Sequence, residues 1–198
     1  MSELSPLSNY LCEAIDSAAA NIEPISTQLE QACDQITETL LNDHKLIVCG
    51  NGHSGPIAAL LTTSLMHQQE FERPSLPAIN ISIDSTTISA IAKDGNYHHV
   101  YSKQIRAIGN KGDTLVALSI DGNCSNIVQA IQTAHEKEIN VITLTGFEEE
   151  GKMSAVIQGE DIEIQLFSHS VARAMEAQLL AVNALCHQIE NQLFGGMY

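Results

Sequence analysis

Lys45-Leu46-Ile47-Val48-Cys49-Gly50-Asn51-Gly52-His53-Ser54-Gly55 decides the fold: an unbroken apolar run, then three glycines within six positions, then a helical pattern. A continuous apolar run suits a strand buried on both faces, the condition of strands in a parallel sheet. The glycines permit a tight turn and let a ligand come close to the backbone. Further along, AINISI (78–83), TLVALS (114–119), INVITLTG (139–146) and DIEIQL (161–166) repeat the apolar pattern, with helix-like segments near 54–69, 85–94, 99–108 and 123–137. This alternation predicts an α/β fold, a doubly wound five-stranded parallel sheet covered on both faces. The Glu148-Glu149-Glu150-Gly151-Lys152 stretch reads as a solvated loop.

Toward the amino terminus, Leu4, Leu7, Leu11, Ala14, Ile15 and Ala18 recur at helical spacing. Pro24 interrupts, and Ile25, Leu29, Ala32, Ile36 and Leu40 resume the pattern, which predicts a helical hairpin over residues 1–43. The α/β core then occupies 44–198, and the whole of 1–198 reads as a single domain. A long last helix is predicted from about Ser170 to Leu193. One stripe of it is Val171, Met175, Leu179, Val182, Cys186, Ile189 and Leu193, and a second, of small residues, is Ala174, Ala177, Ala181 and Ala184. Two apolar faces are more than one sheet needs, so a homo-oligomer built partly from the terminal helices is expected.

The chain carries 24 acidic residues against 9 Lys plus Arg, a formal charge of −15. That field repels phosphate backbones, so direct nucleic-acid binding is disfavoured. No apolar run reaches the length of a membrane span and the start lacks the order of a signal peptide, so a cytoplasmic protein without membrane contact is expected. The cysteines show no C-x-x-C spacing and read as small hydrophobes in a reducing compartment. The eight histidines form no helical ligand pattern, and only His98-His99 adjoin.

Ligands of parallel sheets bind beyond the carboxyl ends of the strands. Two strand-end loops stand out: Cys49 to Gly55, and Ser119-Ile120-Asp121-Gly122-Asn123-Cys124-Ser125. Both could hold an anion such as a sugar phosphate, or serve only as a turn and a helix cap.

GNGHS (50–54), ERPSLPAI (72–79), LSIDGN (118–123), VITLTG (141–146) and DIEIQL (161–166) resemble the sugar isomerase (SIS) domain, and within it the phosphoheptose isomerase branch. The resemblance covers nearly the whole chain and implies a flavodoxin-like sheet, a homotetramer and a phosphosugar site at subunit boundaries. Isomerases of that branch use a zinc ion with an acid–base pair. By the resemblance, their metal-binding His falls on Leu60, their catalytic Glu on Ser64, their ligand Gln on Met175 and their catalytic, metal-binding His on Asn183. None of these four residues supplies the required chemistry. The resemblance therefore implies no catalytic residue, no metal site and no cofactor here. His53, Asp94, His98, His99 and Glu176 are the remaining possible bases.

Asn51, Gly52, Ser54, Ser119, Gly122 and Asn123 remain as vestigial phosphosugar-binding candidates. Asp121 and Cys124 replace serines of the family's phosphate loop. A carboxylate about 4 Å from a phosphate costs on the order of 4 kcal/mol at an effective dielectric near 20. Alternatively Asp121 caps a helix starting near Asn123.

ERPSLPAI (72–79) and VYSKQIRAIG (100–109), with SHSVAR (168–173) and NALCHQIENQLF (183–194) as looser matches, are similar to the DnaA initiator-associating branch of the SIS proteins. That branch implies a non-catalytic homotetrameric adaptor that binds the replication initiator DnaA and promotes its assembly at the chromosomal origin. It also implies partner contact through an exposed Leu-Phe pair just after the last helix, here Leu193 and Phe194. Followed by Gly195-Gly196, Phe194 has no evident core to enter, though the pair could instead close the helix against a neighbouring subunit. The alternatives are a phosphoheptose isomerase acting on sedoheptulose 7-phosphate with relocated groups, and a non-catalytic phosphosugar sensor.

Overall fold

The computed structural model describes residues 5–69, 72–147 and 151–195; Leu4, Glu148 to Glu150 and Gly196 lie outside them. Five parallel strands, β1 (Leu46–Gly50), β2 (Ala78–Asn80), β3 (Thr114–Ser119), β4 (Asn140–Thr145) and β5 (Ile162–Gln165), form one sheet in the order β2-β1-β3-β4-β5. The helices are α1 (Pro6–Leu41), α2 (Ser54–Met66), α3 (Ser85–Ala92), α4 (Ser102–Ile108), α5 (Ser125–Glu136) and α6 (Val171–Phe194).

Alternation along the strands explains why both faces are covered. Leu46, Val48, Val116, Leu118, Ile142 and Leu144 point into the core beneath α1, α2 and α6, with Ile36, Leu61 and Ile189. Ile47, Cys49, Leu115, Ala117 and Val141 point the other way, against Ile105 of α4 and Ile127 and Ile131 of α5. Val48 lies beside Val116, and Val116 beside Ile142, so the central strands stack in register. No helix among the described residues is long and apolar enough to cross a membrane.

The expected hairpin is instead one continuous helix, α1, that carries Pro24 in its interior. An internal proline costs about 3 kcal/mol through its missing N–H and the clash with the preceding turn. Here the flanking packing outweighs it. Asn21, fully buried three residues earlier, donates to the Phe167 carbonyl (2.8 Å) and accepts the Phe167 N–H (2.6 Å), pairing the helix with the chain leaving β5. Beyond the proline, Ile25, Ala32, Cys33 and Ile36 continue into the core. A break at Pro24 would separate these two anchorages. The first half of α1 is more open: Leu7 and Ile15 are each 69% exposed, Leu11 and Ile22 are exposed beside them, and Tyr10 meets α6 through the Arg173 guanidinium, 4.2 Å from its ring.

β2 is shorter than the AINISI run suggests. The Asn80 side-chain oxygen accepts the Ser82 N–H (2.8 Å) and turns the chain after three residues. This leaves Ile83 exposed and brings the Ser82 hydroxyl to the Gly50 N–H (2.9 Å).

In α6 the first three residues of the small stripe turn inward toward the sheet, while Ala184 is exposed. Ala174, Ala177 and Ala181 are buried, and a Cβ on Gly146 would lie 2.6 Å from that of Ala174. The larger stripe divides: Val182, Cys186 and Ile189 are buried, while Val171 and Leu179 are exposed together with Leu180. Cys33, Cys49 and Cys186 are buried free thiols, Cys124 is half-buried and Cys12 exposed. Burial pushes the Cys33 and Cys186 thiols up to about 12, which leaves them inert packing groups.

Candidate functional site

The strand order reverses between β1 and β3, and the crevice beyond their carboxyl ends is where such sheets take ligands. Both loops singled out in the sequence meet there. Asn51 and Asn126 exchange side-chain hydrogen bonds across the crevice, Asn51 Nδ2 donating to Asn126 Oδ1 (2.7 Å) and Asn126 Nδ2 to Asn51 Oδ1 (2.9 Å). The buried Tyr101 hydroxyl donates to Asn51 Oδ1 at 2.8 Å, and lies 3.1 Å from the Gly50 carbonyl. Burial raises the Tyr101 phenol above its ordinary range, so it stays a neutral donor. Gly50 admits no side chain, because a Cβ would lie 2.8 Å from the Ser54 carbonyl oxygen.

Ser54 is fully buried, and its hydroxyl donates to Gln178 Oε1 (2.9 Å). Gln178, also fully buried, uses its Nε2 on the carbonyls of Ser119 (2.9 Å) and Leu144 (3.2 Å). One side chain of α6 thus ties the loop after β1 to the ends of β3 and β4. Gln178 is not marked by any motif or spacing in the sequence. The available signal was an amide set among Ala174, Ala177 and Ala181, where nothing polar is needed for packing.

In the second loop, Ser119 Oγ accepts the Gly122 N–H (3.1 Å) and lies 3.3 Å from Asp121 Oδ1, to which it donates. Asp121 Oδ1 also accepts the Asn123 N–H (3.0 Å), and Gly122 takes φ +66°, which only glycine adopts at low cost. The helix α5 begins at Ser125, two residues later than expected, so Asp121 closes the turn before the helix instead of capping it. Its carboxylate sits among the donors that an anion would use. Gly52, at φ +49°, and Asn123 remain exposed at the crevice mouth.

A cleft of about 430 Å³ opens beside this network, lined by Asn51, Gly52, Pro56, Ser82, Ile83 and Tyr97 among others. A slightly larger one, about 470 Å³, lies at the opposite end of the sheet around Lys111, His135 and Asp161. There His135 Nε2 and Asp161 Oδ2 pair at 2.8 Å and join α5 to the start of β5, a structural link at the end of the sheet where ligands do not bind.

The possible bases do not converge. His53 is exposed at the start of α2, Asp94 lies in the turn after α3, and Glu176 pairs with Arg173 (2.6 Å) on α6. The His98 and His99 rings lie with centroids 4.2 Å apart, tilted by 57° to each other. Lost solvation, then the charges of His98, Lys103 and Arg106, lower the His99 pKa, so its imidazole is neutral at neutral pH. Among the described residues, no three His, Cys, Asp or Glu side chains come together in a way that could hold a metal ion.

Leu60 and Met175 are half-buried against the core beneath α1, α2 and α6. Ser64 is buried, and its carbonyl accepts from Arg73 Nη2 (2.6 Å). Asn183 Oδ1 accepts from Gln69 Nε2 (3.3 Å).

The Leu-Phe pair lies within the last turn of α6, not after it, and is only half exposed. Leu193 turns inward onto the core, while the Phe194 ring lies 5.9 Å from the Arg73 guanidinium carbon. The expected fully exposed aromatic is corrected accordingly: the helix continues one residue further and a buried arginine supports the ring.

A model of the SIS domain matches residues 9–146. The phosphoheptose isomerase of Chromohalobacter salexigens is 40% identical over 182 residues, covering 92% of each chain. The DnaA initiator-associating protein DiaA of Yersinia enterocolitica is 37% identical over 191 residues, covering 96% of this chain and 97% of its own. A solved phosphoheptose isomerase from Francisella tularensis superposes with a TM-score of 0.90 at 33% identity, covering 96% of this chain and 100% of that one.

Proposed function

The chain belongs to the SIS domain family, and from that footing we propose that it is a non-catalytic adaptor for the replication initiator DnaA. It binds DnaA through Leu193 and Phe194 and promotes initiator assembly at the chromosomal origin, leaving DNA contact to DnaA itself. Overall identity does not separate isomerase from adaptor relatives, so individual residues must. The observation that carries the reading is the occupancy of the isomerase positions. Leu60 and Met175 offer no acid, base or hard metal ligand, the Ser64 hydroxyl and Asn183 amide are not acid–base groups near neutral pH, and Asn183 Oδ1 is bonded by Gln69. Proton transfer next to a carbonyl needs a base placed within hydrogen-bond reach, and among the described residues His53, Asp94, His98, His99 and Glu176 do not come together around one point.

The adaptor works as a homo-oligomer, a tetramer by its resemblance. Leu7, Leu11, Ile15 and Ile22 on α1, and Leu179 and Leu180 on α6, leave apolar faces in a single copy that a neighbouring copy would cover. Four copies of one anchor gain avidity for an initiator that itself assembles.

Immobilised N-terminal region of DnaA should retain the wild-type protein, and Phe194→Ala should be retained much less; equal retention removes the anchor. The isomerase reading has in its support the likeness to the Chromohalobacter enzyme over 92% of the chain and the solved Francisella isomerase, which the adaptor reading matches with its own relatives. Turnover of sedoheptulose 7-phosphate, abolished by a chelator or by His53→Ala, would establish it. The cleft beside Asn51 and Ser82 favours a phosphosugar sensor, which calorimetric titration with sugar phosphates decides.

A further inference from the structure

Arg73 and Glu190 form an ion pair (Nε to Oε1, 2.8 Å) with side chains only 1% and 2% exposed. Burying two charges costs several kcal/mol per ion, and well-packed apolar replacements are often as stable or more so. Such a pair is therefore weak evidence for stability and better explained by what it orients. The guanidinium fork is used almost fully: Nη1 donates to the Leu65 carbonyl (2.8 Å) and the Pro74 carbonyl (2.9 Å), Nη2 to the Ser64 carbonyl (2.6 Å). Ser64 and Leu65 are in the last turn of α2, whose carbonyls lack helical partners. Glu190 Oε1 also accepts the Gln69 N–H (2.9 Å). The pair thus joins the end of α2, the segment after it and the last turns of α6.

Phe194 stands one helical turn beyond Glu190 on the same face, its ring at the reach of a cation–π contact with Arg73. On the other flank, Gln192 accepts from the Thr37 hydroxyl (2.6 Å) and donates to Asp34 Oδ1 (2.7 Å), holding α6 to α1. We infer that Arg73 and Glu190 are positioning residues that fix the last turn of α6 and aim Phe194 at the partner, an inference that rests on the adaptor role of Leu193 and Phe194.

The chain contains no tryptophan, so Phe194→Trp places a single fluorescent reporter at the site. In that background, Arg73→Met with Glu190→Leu should raise acrylamide quenching about twofold and lower anisotropy as the ring gains freedom. The same double variant with Phe194 intact leaves the Ser64 and Pro74 carbonyls and the Gln69 N–H without these partners, so its thermal midpoint should fall; at a temperature where it is still fully folded it should bind the DnaA N-terminal region about tenfold more weakly. Glu190→Gln, which keeps the acceptor oxygen and loses the charge, should shift quenching and binding in the same direction and supplies the reading if the double variant does not fold. Unchanged quenching and anisotropy in both variants overturn the inference, as does full partner affinity in a folded double variant that still binds through Phe194. Should Phe194→Ala itself bind like wild type, the adaptor reading fails, while the fluorescence arm still decides whether the ion pair holds this turn.

Discussion

The crevice beyond β1 and β3 and the tip of α6 are built on opposite plans. In the crevice, Asn51 pairs with Asn126 and Tyr101, Ser54 with Gln178, and Ser119 with Asp121, so these groups bond within the chain, while Asn80 Nδ2 and Thr145 Oγ1 at the neighbouring strand ends are buried without a partner. At the tip, half-exposed Phe194 lies over a buried ion pair while Leu193 packs onto the core. On the adaptor role proposed above, the end of α6 and not the crevice would be the recognition surface.

The largest test removes the support of the tip. Glu190→Ala leaves the Arg73 charge buried without its carboxylate and should cost about 3–5 kcal/mol in chemical denaturation. A loss below about 1 kcal/mol would mean that water or other groups already serve Arg73, and the contrast would weaken. Next, Gln178→Leu strips the Ser54 hydroxyl and the Ser119 and Leu144 carbonyls of their partner in the crevice. It should destabilise by about 2–3 kcal/mol, read in the same denaturation experiment.

Asp121→Ser tests whether the crevice donors are held by an internal anion. Without the carboxylate, a sugar phosphate should bind about tenfold more tightly by calorimetry; no gain would show that Asp121 is only a turn residue. The smallest effect concerns α3, which borders the cleft through Ile88. The Thr87 hydroxyl and the N–H groups of Thr87 and Thr86 hold the Asp84 carboxyl below its ordinary 3.8. A depressed folded-state pKa means a contribution fully present above 3.8 and lost as pH falls through the lower folded value. The Thr86 and Thr87 amide signals should therefore shift only in that acid range, with neutral-pH behaviour untouched.

The sheet was legible because burial on both faces leaves a direct trace: unbroken apolar strands separated by helical periodicity. Pro24 misled because its local penalty is visible in sequence, whereas the Asn21 and Phe167 pairing that outweighs it spans 146 positions. The two strand-end loops could be placed in one crevice from the switch-point rule, but not the direction in which Ser54 and Asp121 spend their bonds. Arg73, Gln178 and Glu190 escaped notice for a related reason. A buried polar side chain is identified by its partners, and these come from distant parts of the chain. Leu60, Ser64, Met175 and Asn183 were readable only through family resemblance, since nothing in their local spacing marks them.

The central claim is tested most directly by titrating the DnaA N-terminal region against wild type, Phe194→Ala and Asn51→Ala. Loss of the anchor should weaken binding about 30-fold, near 2 kcal/mol, while Asn51→Ala stays within about twofold of wild type. Full affinity in Phe194→Ala, or an equal loss in Asn51→Ala, would contradict the assignment of recognition to the α6 tip.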